Sequence, residues 1–417
     1  MSHQKRVLSL FSGCGGMDIG FEGDFYCLKE SINTKIHNDW IKEEKEQWVK
    51  LKPTGFKTVF ANDIRKYAKA AWVSFFEPRI KNANEIYHLE SIVNLVKQHK
   101  NNNNVFPNDI DIVTGGFPCQ DFSVAGKRQG FKSTKSHNGE MLDDDSLKYE
   151  NRGQLYTWMK EVISIVKPKV FIAENVKGLI SLSDAQKIIE QDFANATDGG
   201  YLVVPARILQ AANYGVAQSR ERIIFYGFKR SSLTDKALIE LNKKEIDPKY
   251  DPYPIATHNY NVVGENLLPF VDVRTCLKGL KEPNDTSDET QKKYSKAKLT
   301  KGQGNIEVKL DGISPTIRSE HHGNIEFRRL SIENGGKNID EINAGMEQRR
   351  LTIRECARLQ TFPDDYQFIL PKTQNNIAVS ASAAYKIIGN AVPCVLAYHI
   401  AKTLSEKWDM YFKKEAD

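Results

Sequence analysis

The sequence predicts an α/β protein: an open, largely parallel, Rossmann-like sheet joined to a second, smaller and irregular domain. Three observations predict it. Short apolar runs alternate with helix-length amphipathic stretches through the first two thirds of the chain. Strands separated by such helices need crossovers, which make the sheet parallel and cover both its faces. The first strand runs into a glycine turn, Ser12-Gly13-Cys14-Gly15-Gly16, at the edge where open α/β sheets hold their ligands. From about residue 230 to 345 the helical periodicity fades, and Pro, Gly, Asn and Lys are scattered among short runs.

The first strand is predicted at residues 7–11, and residues 24–57 look like an insertion before a second strand at 58–63. A helix follows over 67–76. Ile86, Leu89, Val93 and Val96 then recur at helical spacing until the Asn tract at 101–104 stops the pattern. Residues 110–116 are a buried strand and 155–166 a helix; 170–175 is the next strand and 184–194 a helix. The last strands of the block are 201–209 and 222–228. Helical signal returns at Thr352-Ile353-Arg354-Glu355, a Thr-x-x-Glu capping box whose helix closes before Pro363. A final helix starts near Pro393 and runs through Leu396, His399, Ile400 and Leu404, packing back on the first domain. The expected organisation is therefore 1–229, a catalytic and ligand-binding domain; 230–371, a recognition domain; and 372–417, a segment returning to the first. Residues 101–104 and 132–151 are loops.

Composition excludes several classes. At 417 residues and 40% hydrophobic content the chain can bury a sizeable core. No run approaches the roughly 18 to 20 apolar residues that cross a bilayer, and the N-terminus lacks a signal peptide's cleavage region, so no membrane association is expected. Cys14, Cys27, Cys119, Cys276, Cys356 and Cys394 lie far apart with no C-x-x-C pair, which argues against a zinc cage or a disulfide framework. The net charge of +6 and a pI near 8.7 suit a polyanionic partner, yet fall short of the pI above about 9 of a basic nucleic-acid domain.

Four places carry candidate chemistry. In the glycine turn, the dinucleotide fingerprint wants Gly or Ala three residues after Gly15, and Asp18 stands there. A pyrophosphate is disfavoured; a nucleoside with a small zwitterionic tail remains open. Asp63, ending the second strand, is placed to accept from ribose hydroxyls. Gly115-Gly116-Phe117-Pro118-Cys119-Gln120 ends the strand 110–116, with Pro118 stiffening the approach to the thiol and Gly126-Lys127-Arg128 in the loop beyond. Cys119 is either a buried structural cysteine or, beside glycines and a basic loop, a thiolate. Glu174 follows Val-Phe-Ile-Ala at a strand end, where partial desolvation suits a general acid and a helix cap is the plainer reading. Alternation points Gln218, Arg220 and Arg222 one way, as a pair of guanidinium forks for an anion or carbonyl, or as a salt-bridged sheet edge.

In order, Phe11-Ser12-Gly13-Cys14-Gly15-Gly16, Pro118-Cys119-Gln120, Glu174-Asn175-Val176, Gln218-x-Arg220-x-Arg222, the run from Arg354 to Pro363, and Gly389-Asn390-Ala391-Val392-Pro393 resemble the motif set of the DNA cytosine-5 methyltransferases of bacterial and phage restriction-modification systems. The match runs from Leu8 to Leu396. It implies an S-adenosyl-L-methionine-dependent methyltransferase sheet carrying a target-recognition domain, and a cytoplasmic enzyme acting on duplex DNA, needing no metal and favouring a monomer. Cys119 would be the nucleophile, Glu174 the acid at ring N3 and Arg222 the group holding the base's O2, with Arg220 supporting it or contacting the backbone.

For the cofactor the resemblance implies Phe11 and Ile64 on the adenine faces, Ser12, Gly13 and Gly15 near the methionine tail, Asp63 on the ribose and Glu85 at the adenine amine. Leu155 and Asn390 would line the methionine end, and Pro118 would also border the cofactor. Gln120, Ser123, Lys127, Arg128, Asn175, Gln218, Arg318 and Arg328 would meet the DNA. Lys292, Lys293, Lys296, Lys298, His321, His322 and Arg329 are further candidates for phosphates or bases. Two other functions stay open: the same chemistry on transfer RNA, and a catalytically inactive DNA-binding homologue.

Overall fold

The computed structural model describes residues 4–118, 155–180, 184–299, 304–319, 325–373 and 377–414. In chain order its strands are β1 (Lys5–Leu10), β2 (Tyr26–Leu28), β3 (Ile41–Lys45), β4 (Trp48–Leu51), β5 (Phe56–Asp63), β6 (Tyr87–Leu89), β7 (Ile112–Gly116), β8 (Val170–Val176), β9 (Tyr201–Gln210), β10 (Glu221–Lys229), β11 (Phe327–Arg329) and β12 (Arg349–Arg350). Seven of them form one sheet in the order β6-β5-β1-β7-β8-β10-β9. Strands β6, β5, β1, β7 and β8 are mutually parallel. Only β10 runs against its neighbours β8 and β9.

Both faces of the sheet are buried, which is why its strands read as apolar runs rather than alternations. Successive residues of β1 divide between two cores: Val7 packs with Phe21, Trp72 and Leu396 on one side, and Leu8 and Leu10 pack with Met159, Phe171 and Ile189 on the other. The helices Gly16–Glu22, Lys66–Phe76 and Cys394–Glu406 supply the first layer, and Leu155–Val166 and Ala185–Ala194 the second. Residues 381–406 are the one stretch, among the described residues, long and apolar enough by composition to cross a membrane. It breaks into two helices, Ala381–Asn390 and Cys394–Glu406, and 83% of its most apolar window lies inside the protein.

The structure corrects one expectation and adds two elements. The spacing at 86–96 is not one helix: Ala83–Ile86 and Ile92–Gln98 are helical and β6 lies between them as the sheet's edge. A strand of three residues is too short to show a period of two. Residues 24–57 hold an antiparallel sheet, β2-β4-β3, and residues 381–390 form a helix that the sequence reading passed over.

The region after β10 is held by buried charge rather than by regular structure. The capping box is present at Thr352 and Glu355, and the Glu355 carboxylate also takes a two-pronged contact from Arg349 at 2.8 and 2.9 Å. Arg349 reaches on to Glu282 at 2.8 Å. Burial pushes the Glu355 carboxyl up, but the Arg349 guanidinium overrides it and holds it below the usual range. Its contribution to stability is accordingly present at neutral pH and lost in acid. Glu355→Ala strands much of a buried guanidinium and is expected to lower unfolding free energy by about 3 kcal/mol, read from chemical denaturation at pH 7.

Candidate active site

The carboxyl edge of the sheet gathers the site. β1 ends at Leu10, and the chain turns through Phe11 and Gly13, both at φ 54°, and Gly15 at φ 81°. Left-handed backbone is costly for phenylalanine and marks a functional turn. Gly15 has a second constraint: a Cβ there would lie 2.6 Å from Trp72 Cδ1. The Gly13 N–H donates to Asp63 Oδ2 at 3.2 Å, and the Arg65 N–H to Asp63 Oδ1 at 2.9 Å. Tyr87 hydroxyl donates to the Gly13 carbonyl at 2.9 Å. From below, Tyr366 hydroxyl donates to the Cys14 carbonyl at 2.8 Å and Cys14 Sγ to the Ile387 carbonyl at 3.3 Å. The C-terminal segment thus closes on the turn.

The turn suits a nucleoside with an amino-acid tail. A Cβ on Gly13 would meet nothing nearer than 4.0 Å, so the backbone is open to a ligand there. Asp63 offers acceptor oxygens whose orientation two backbone donors fix. Ile64 and Leu89, at 47% and 43% exposure, are large apolar side chains left uncovered at neighbouring strand ends. Phe11 is half-buried beside the turn. Asn390 ends its helix with the side chain exposed, and Pro118 is half-buried.

Two cofactor expectations move. Glu85 is exposed in the helix Ala83–Ile86, before β6 begins, and so lies toward the amino edge of that strand. The register Asp63↔Leu89 leaves Leu89 and Glu90 at the edge that carries the turn. Glu90 accepts from the Ser91 N–H and from Asn94, both at 2.8 Å. Without the unseen strand β6, spacing alone could not choose between the two glutamates. Leu155 is buried in the second core with Met159 and Phe117, where it shapes the site from behind.

The acid and arginine motifs meet because β10 reverses. An antiparallel strand enters at the edge where β8 leaves, so Arg222 opposes Val176 and its side chain falls diagonally across Glu174. Arg222 Nε lies 2.6 Å from Glu174 Oε1, and both side chains are buried. Arg222 also donates to the Glu221 carbonyl at 2.8 Å. On the other side Gly116 pairs with Glu174. A Cβ on residue 116 would come 2.9 Å from Glu174 Oε2, so the bare backbone gives that oxygen its place. Gly116→Ala is expected to cut turnover at this site about tenfold with a nearly unchanged melting temperature, a displacement costing near 1.4 kcal/mol in the transition state.

Other expected substrate contacts are occupied within the protein. Arg220 is fully buried and donates to the carbonyls of Ile317, Gly389 and Ala391 at 2.8–3.1 Å. Through these contacts it clamps the region after β10 and the C-terminal segment to the sheet. Gln218 donates to the Leu359 carbonyl at 3.0 Å and accepts from the Ile317 N–H at 2.9 Å. Asn175 donates to the Phe117 carbonyl at 3.1 Å and accepts from the Val176 N–H at 2.8 Å, pinning the approach to Pro118. Arg318 pairs with Glu326 at 3.1 Å, Arg328 with Glu341 and with Glu355 at 3.8 Å, and buried Arg329 with Glu282 and Glu341. Alternation gave Gln218 and Arg220 a direction but not the backbone groups that wait there.

Lys293, Lys296 and Lys298 are exposed, with Lys296 3.7 Å from the Tyr294 ring centre, and Lys292 pairs with Glu289 at 2.7 Å. Cys119, Gln120, Ser123, Lys127, Arg128, His321 and His322 lie outside the described residues. Among the described residues no group of three or more His, Cys, Asp or Glu is arranged for a metal ion.

The fold is the open α/β sheet that solved methyltransferases share. Solved structures of the same architecture include the Dnmt2 methyltransferase of S. pombe, with a TM-score of 0.55 at 18% identity over 97% of this chain and 99% of that one. The Entamoeba histolytica methyltransferase EhMeth has a TM-score of 0.53 at 16% identity over 97% and 99%. More particularly, the C-5 cytosine-specific DNA methylase family matches residues 5–406. The chain belongs to that family and is a DNA cytosine-5 methyltransferase. Similar relatives include the Type II methyltransferase M.BspRI of Lysinibacillus sphaericus, 32% identical over 99% of this chain and 84% of the relative. Another is M.BsuRI of Bacillus subtilis, 31% identical over 96% and 79%.

Proposed function

We propose that the enzyme methylates C5 of a cytosine flipped out of a specific duplex DNA site, using S-adenosyl-L-methionine and a transient bond between Cys119 and ring C6. The observation that carries the reading is the buried Glu174–Arg222 contact at the sheet edge toward which Pro118 leads. Cytosine C5 is a poor nucleophile, so the ring must first be activated. The Cys119 thiolate adds to C6, electron density moves through the ring toward N3, and Glu174 meets N3 with a proton or a strong hydrogen bond. Arg222 holds Glu174 through Nε and directs its other N–H groups to the O2 of the base, where charge accumulates. The resulting enamine is nucleophilic at C5. S-Adenosyl-L-methionine, when bound, would supply an electrophilic methyl group to C5 and leave as the neutral thioether. Loss of the C5 proton to solvent then expels Cys119 as thiolate, and the C5–C6 double bond returns.

A stacked cytosine cannot reach a buried pair at a strand edge, so the base leaves the helix. Phe11, Ser12, Gly13, Gly15, Asp63 and Ile64 would hold the cofactor, with Leu89 and Glu90 in place of Glu85 at the adenine end. The loop from Gln120 through Ser123, Lys127 and Arg128 would cover the base, and the exposed Lys293, Lys296 and Lys298 would meet phosphates. The enzyme acts as a monomer on DNA. Bisulfite sequencing of DNA from cells expressing the protein tests the reading: 5-methylcytosine at one recurrent sequence is expected, and unmethylated DNA, with methyl transfer to transfer RNA instead, would overturn it.

A further inference from the structure

The helix that follows the glycine turn carries a carboxylate for which the transfer reaction has no use. Asp18 is 1% exposed, and its partners are a hydroxyl and an indole rather than a cation. The Ser9 hydroxyl donates to Oδ1 at 2.5 Å and Trp72 Nε1 to Oδ2 at 2.7 Å. Burying a carboxylate without a countercharge is expensive, and a small apolar residue would fill the space at less cost. Both partners lead to the turn. The Ser12 hydroxyl lies 2.9 Å from the Ser9 hydroxyl oxygen and 3.0 Å from its carbonyl, and Ser12 Oγ accepts from the Asn62 N–H at 3.2 Å. Trp72 packs so closely under Gly15 that a Cβ there would overlap its ring.

We propose that Asp18 is a positioning residue for cofactor binding: one carboxylate oxygen sets Ser12 through Ser9, the other sets Gly15 through Trp72, and the turn is preorganised by the pair. The proposal rests on the reading of that turn as the S-adenosylmethionine site. Both oxygens must accept, which only the ionised form does without rearrangement, because a protonated oxygen would turn one contact around. Burial pushes Asp18 up to about 6, with the Ser9 and Trp72 hydrogen bonds pulling the other way. The two-acceptor form therefore prevails above that pH and is lost below it. The titratable groups around it are Glu22 one turn along, which burial pushes up to about 7, Cys14, Tyr87, Tyr366 and Cys394. Because the folded protein holds Asp18 above its ordinary range, ionising it costs stability, and an amide in its place spares that cost at neutral pH.

Calorimetric titration of S-adenosylmethionine into the full-length protein, at pH 7.5 and 5.5, tests this beside melting curves without ligand. At pH 7.5 Asp18→Asn is expected to bind about tenfold more weakly than the unaltered protein, as loss of one charge-assisted hydrogen bond would give. Its melting temperature without ligand is expected to be unchanged or higher, and the difference in affinity should shrink at pH 5.5. Ser9→Ala, which keeps the carboxylate and breaks one arm, should also weaken binding. Affinity in both variants equal to that of the unaltered protein, or weakening that follows a lower melting temperature, would overturn the positioning role. Failure of the unaltered protein to bind S-adenosylmethionine would instead overturn the reading of the turn.

Discussion

Cys119→Ala is expected to lower methyl transfer to duplex DNA by about ten-thousand-fold or more, while affinity for the same DNA changes little. In the proposed mechanism, removing the sulfur removes addition at C6, C5 keeps its low nucleophilicity, and the hard step is no longer split in two. The surrounding groups still recognise the base, so the loss falls on kcat rather than on binding. Labelled-methyl transfer beside a gel-shift titration separates the two. Turnover retained by the alanine variant would remove the covalent step from the mechanism.

Glu174→Gln is the second large effect, expected to lower kcat by about 10² to 10⁴-fold. The amide keeps the size of the side chain and can still accept from Arg222 Nε, which lies 2.6 Å from Oε1 in the unaltered protein. It cannot deliver a proton to N3. The companion change Arg222→Ala should be worse for stability, because it leaves the Glu174 carboxylate buried with no countercharge. Measuring kcat against melting temperature for both variants distinguishes the acid's chemistry from the pair's packing. Equal kcat for Glu174→Gln and the unaltered enzyme would show that N3 needs no acid here.

Much of the central sheet was legible because its strands are apolar on both faces and separated by helices of full length. β1, β5, β7 and β8 lie close to where their apolar runs place them, and the helix Leu155–Val166 has the predicted bounds. The capping box at Thr352 and Glu355 could be read because its two hydrogen bonds are local. What escaped depends on contacts distant in sequence. β6 is three residues long and is defined by pairing with β5, and it sets Leu89 and Glu90, rather than Glu85, at the edge that carries the glycine turn. Arg220 and Arg222 look equivalent by alternation. Yet one meets carbonyls contributed by residues 317, 389 and 391 and the other meets Glu174, a difference set by long-range packing alone. Arg318, Arg328 and Arg329 looked like candidates for DNA because a charge count does not show which carboxylates fold against them.

The most direct measurement is covalent trapping. A duplex carrying 5-fluorocytosine at the methylated position, incubated with the protein and S-adenosylmethionine, should form a complex that survives denaturation. Fluorine in place of the C5 proton blocks the elimination that would release the enzyme. Mass spectrometry should find the pyrimidine on the peptide containing Cys119. A duplex that is bound and yet never becomes attached at that thiol would contradict the account.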